Sequence, residues 1–74
     1  MIEYKEALAI AKSKKSRINH CIEYDNAYVF SYESNKEMVG GENPIAIIKE
    51  TGEALNMISY ATGYDHNLIR EFNL

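Results

Sequence analysis

The sequence predicts an α+β domain: an N-terminal helix packed on a four-stranded antiparallel sheet of two hairpins, closed by a short C-terminal helix. Three observations lead there. Apolar residues recur at helical spacing at the start of the chain. From Ile18 the period changes to two, with aromatic and β-branched residues on either side of a polar break. A second apolar run begins at Ile45 and is followed by Thr51-Gly52 and more apolar residues.

In the opening segment, "IEYKEALAIAKSKK", Tyr4, Ala7, Leu8 and Ala11 share one helical face, and strong helix formers fill the rest. Its lysine-rich end, "KSKKSR", reads as cations complementing a helix C-terminus rather than as a nucleic-acid patch. Next, Ile18, His20, Ile22 and Tyr24 alternate, "DNA" interrupts, and Tyr28, Phe30 and Tyr32 alternate again. With Asp25-Asn26-Ala27 as the loop, Tyr24 faces Tyr28, Ile22 faces Phe30 and His20 faces Tyr32, which puts all six on one face.

The loop "VGGENP" concentrates Gly40, Gly41 and the only proline, Pro44, just before the most apolar run. Glycine allows close backbone approach, and proline can open a strand because no ladder N–H is needed there. The loop therefore reads as a rigid reversal with Glu42 and Asn43 at its tip. "PIAIIKETGEALNMISY" reads as the second hairpin, its Thr51-Gly52 turn closed by a left-handed Gly52. That register sets Ile47 near Leu55 and Ile45 near Met57. Asp65 is the expected N-cap of a final helix holding Leu68, Ile69 and Phe72.

The totals bound the function. The 74 residues are expected to form a single domain over 1–74, close to the smallest size at which one core suffices. Association, with itself as a homodimer or with a partner, is a common remedy. Net charge is −3, but residues 1–17 carry five basic groups against Glu3 and Glu6. The acidic remainder disfavours nucleic acid and suits a basic protein partner. Cys21 is the single cysteine, so no internal disulfide can form. The start lacks a signal-peptide pattern and no apolar run spans a membrane, so the expectation is cytoplasmic.

Catalytic chemistry finds no footing. His20 and Cys21 are adjacent on a strand and point to opposite faces, so they do not share a metal. His66 is a distant single candidate, and no zinc spacing exists. Neither a phosphate-cradling glycine pattern nor a nucleophile–base pair is evident. The expectation is no enzyme, no metal and no cofactor. Six tyrosines remain, of which Tyr60 and Tyr64, at the end of the last strand, are placed to meet a partner.

These residues resemble those of the YrhB-like group of small bacterial proteins, the immunity protein 35 family. "MIEYKEALAIA" resembles its opening helix, "AYVFSYES" its aromatic strand, with Tyr28 where tryptophan is usual, and "GGENPIAIIKETGEA" its loop, buried strand and turn. "HNLIREF" resembles its closing helix. Two features depart from the pattern: Glu42 stands where asparagine is common, and the stretch before the glycines is shorter.

The resemblance implies a cytoplasmic protein that neutralises a toxin by binding it. Gly41 and Pro44 are then architectural, and Glu42 and Asn43 contact residues. Glu50, Glu53, Tyr60 and Tyr64 complete the expected partner surface. The rival expectations are a promiscuous chaperone-like module and a PepSY-like inhibitory or structural domain.

Overall fold

The computed structural model describes residues 1–15, 17–32 and 44–74. Seven elements follow in order: α1 (Tyr4–Lys14), β1 (His20–Tyr24), β2 (Ala27–Ser31), β3 (Ile45–Ile48), β4 (Ala54–Asn56), α2 (Met57–Gly63) and β5 (Leu68–Asn73). The α+β class holds, with the expected N-terminal helix and an antiparallel sheet. The sheet has five strands rather than four, in the order β4-β3-β2-β1-β5. Four strands therefore form a meander, and the fifth returns through α2 to lie beside the first.

The strands are covered on both faces. On one, α1 buries Ala7 and Ala11 against Cys21, Tyr28, Phe30, Ile45 and Ile47. On the other, Tyr60 of α2 packs with Ala27, Val29, Ala46 and Ile48. All four residues of β3 are buried, as expected of a strand with layers above and below. The N-terminus is tied in as well, since the Ile2 amide donates to the Lys49 carbonyl at 2.7 Å.

Both expected registers are corrected by one residue. In the first hairpin Cys21 pairs with Phe30, Ile22 with Val29 and Glu23 with Tyr28. Two residues, Asp25 and Asn26, lie between the strands instead of three. A one-residue slip exchanges faces, so Ile22 and Tyr24 join the α2 side while Tyr28 and Phe30 stay under α1. In the second, Ile47 pairs with Ala54, Ala46 with Leu55 and Ile45 with Asn56. Gly52 does adopt the left-handed conformation, at φ 78°, and its amide donates to the Ile48 carbonyl.

The end of the chain differs more. The run "MISYATG" is helical rather than a strand, because the Asn56 side chain caps it by accepting from the Ser59 amide at 2.8 Å. Residues 68–73, expected to be the closing helix, form β5 and pair with β1. A bulge opposite Glu23 and Tyr24 inserts one extra residue in β5 at Ile69.

Candidate functional site: an acidic end of the sheet

The turns decide which side chains meet. The Asp25-Asn26 turn and the Lys49–Gly52 turn lie at the same end of the sheet, held by the Lys49 amide donating to the Asn26 carbonyl at 2.9 Å. The α2–β5 connection joins them there. The Asp25 amide donates to the Asn67 carbonyl at 3.0 Å, and the Asn26 side chain donates to the Asp65 carbonyl at 2.9 Å. Through Ile2, the start of α1 reaches the same end. Among the described residues, five exposed acids from four separate segments therefore share it: Glu3, Asp25, Glu50, Glu53 and Asp65.

The opposite end carries the other sign. Where α1 finishes and β2 ends, Lys12, Lys15, Arg17, Ile18 and Tyr32 line an open groove of about 390 Å³. The Arg17 guanidinium lies 4.8 Å from the centre of the Tyr32 ring, over its face.

Tyr64 stands at the acidic end, 37% exposed, its ring stacked on that of Tyr60 at 5.5 Å. Tyr60 itself is a correction. It is fully buried, with its hydroxyl donating to Asn26 Oδ1 and its ring edge-on to His66 at 4.7 Å. Burial pushes its hydroxyl pKa up to about 12, and Tyr24 and Asp25 add to the rise. It supports the surface and is not part of it. Glu50 and Glu53 are exposed on the hairpin tip, and Gly52 lies between them. An added Cβ at Gly52 would sit 3.4 Å from Ile2 Cγ2, so the turn also packs on the start of the chain. Pro44 directly precedes β3. Gly40, Gly41, Glu42 and Asn43 lie outside the described residues.

The remaining reactive groups are engaged inside. Cys21 is fully buried, and its thiol is pushed up to about 12, first by burial and then by Glu23. His20 has Asn73 Oδ1 at 2.9 Å from Nδ1 and Glu71 Oε2 at 2.6 Å from Nε2, so both ring nitrogens are engaged. Glu23 accepts from Lys49 Nζ at 2.6 Å and from Arg70 Nε at 2.7 Å. Burial alone would raise its carboxyl, but the hydrogen bonds and charges of Lys49 and Arg70 outweigh that and hold it below the ordinary range. Among the described residues no group of three or more His, Cys, Asp or Glu could hold a metal ion, and no helix is long and apolar enough to cross a membrane.

Sequence reasoning named Glu50, Glu53 and Tyr64 but missed Glu3, Asp25 and Asp65. The one available signal was that all three flank segment boundaries, where helix starts and turns gather at sheet ends. No family model, curated protein or solved structure matches the chain.

Proposed function

We propose that the chain is a non-catalytic binding protein of the immunity type, which neutralises a basic toxin domain by covering it with the acidic end of the sheet. The observation that carries this reading is the gathering of Glu3, Asp25, Glu50, Glu53 and Asp65 at one end of the sheet, the end that also holds the part-exposed Tyr64. Clustered like charge on a rigid frame steers a partner of opposite sign, and an exposed tyrosine adds contact area at low entropic cost. The sequence resemblance to the YrhB-like proteins supplies the toxin as the class of partner, and the cytoplasm as the compartment. Glu42 and Asn43 belong to the same proposed surface through that resemblance alone.

The test is kinetic. The tagged chain is used to capture partners from the cells that make it, and association with a stoichiometric partner of high isoelectric point is then timed. Reversing Glu50 and Glu53 together to lysine should slow association roughly 10-fold at low salt, an advantage that salt erases in the parent chain. An unchanged on-rate would overturn the acidic end as the contact. The exposed Ile58, Leu68 and Ile69 favour a second reading, a chaperone-like module for apolar segments. That reading predicts suppression of aggregation of unrelated proteins, indifferent to the double reversal.

A further inference from the structure

The two edges of the sheet are unlike. At one, β4 has three residues and leads at once into α2, so little of its backbone is on offer. At the other, β5 runs for six residues with a bulge at Ile69, and among the described residues it pairs only with β1. Among the described residues no strand pairs with its outer N–H and C=O groups, which are a template for another strand. Exposed apolar side chains gather on the same edge, with Leu68 at 62%, Ile69 at 55% and, just beyond, Leu74 at 46%.

Proteins commonly blunt such an edge with charge, and β5 has Arg70 and Glu71 at its centre. They are of opposite sign, and each is ion-paired to β1 while its side chain stays more than half exposed. Arg70 Nε is bound to Glu23 at 2.7 Å and Glu71 is bound to the buried His20 at 2.6 Å. The edge is thus locally neutral, and a strand carrying the same residues meets no uncompensated charge. A strongly basic or acidic strand would find nothing to match it. An antiparallel edge can also pair with itself about a twofold axis perpendicular to the sheet, the simplest closed assembly.

We infer that β5 is the interface for a second copy of this chain, the two strands pairing antiparallel to join their sheets into one of ten strands. This does not rest on the toxin-binding reading, since the pairing uses the backbone of β5 and not the acidic side chains. A contact built on one strand is at the small end of specific interfaces, so the dimer dissociates with a Kd on the order of 10 µM.

Light scattering or sedimentation of the full chain from about 1 to about 200 µM reads the mass directly. The expected result is a shift from one chain to two across that range. Leu68→Lys and Ile69→Lys, both at exposed positions, should each keep the far-ultraviolet spectrum and lose the dimer by at least 10-fold in Kd. A parent chain that stays monomeric throughout would overturn the proposal, as would a dimer indifferent to both substitutions. Should either variant fail to fold, amide exchange in the parent chain decides. The outward-facing amides of β5 should exchange more slowly at high concentration, and rates independent of concentration would overturn the interface.

Discussion

Among single residues, Glu23 is the one on which most depends. It sits next to the end of β1, 9% exposed, and holds Lys49, itself 8% exposed, and Arg70. Removing one partner of a buried pair strands the other charge, so Glu23→Ala should cost about 3–5 kcal/mol in urea denaturation, a large part of the stability of a domain this size. Arg70 is more than half exposed at its side chain and relaxes into water, whereas Lys49 has no such recourse. Replacing the pair together, Glu23→Leu with Lys49→Met, should recover most of the loss. The pH dependence follows from the lowered carboxyl pKa. The folded carboxyl lies below its unfolded value, so its contribution is complete above the ordinary carboxylate range and is lost as pH falls through the folded value. Glu23→Gln should therefore differ most from the parent chain at neutral pH, and the gap should close on acidification. Tyr60→Phe is a milder case: it strips a buried hydroxyl from Asn26 and should cost about 1–2 kcal/mol, read by the same denaturation.

At the scale of elements, legibility divides between local and long-range causes. Helix α1 was readable because its apolar positions repeat at the helical period and its lysines close it, and both are properties of a short window. The Gly52 turn was readable because few residues other than glycine take its conformation. The register of the first hairpin was not. No residue other than glycine adopts positive φ among those described, so the Asp25-Asn26 connection carries none of the left-handed signature of common two-residue turns. It is held instead by Asn67, Asp65, Lys49 and Tyr60, all distant in sequence. Strand β5 was misread for a related reason. Leu68, Ile69 and Phe72 suit a helix face, but β1 has an unpaired edge that outweighs local preference. In α2, the cap at Asn56 matters because seven residues form a marginal helix. Asn56→Ala should cost about 1 kcal/mol in thermal or urea unfolding, and Asn56→Asp much less.

Across the whole molecule, the separation of charge is the main surprise. The sequence already shows basic residues early and acidic ones late, yet a chain folded back on itself could have mixed them. Helix α1 runs the length of the sheet, placing Lys12, Lys15 and Arg17 at one pole and leaving Glu3 at the other. Antiparallel strands then return the acidic turns to the pole of Glu3. Of the candidate partner surface, Glu50, Glu53 and Tyr64 could be named from sequence because turns and exposed aromatics can be recognised locally. That they lie together with Asp25 and Asp65 could not, since it depends on which end of the sheet each turn occupies.

The order β4-β3-β2-β1-β5 also constrains when this protein can finish folding. The first strand made is an interior strand, and the one that covers its open side is the last. During synthesis the meander of β1 to β4 can assemble as each hairpin closes, but throughout that time β1 presents a bare edge beside the buried Cys21 and Glu23. Completion waits for a contact spanning some fifty residues, the slow, non-local kind. A nascent chain stalled before Leu68 should therefore aggregate more readily than the full chain, because the edge of β1 stays bare.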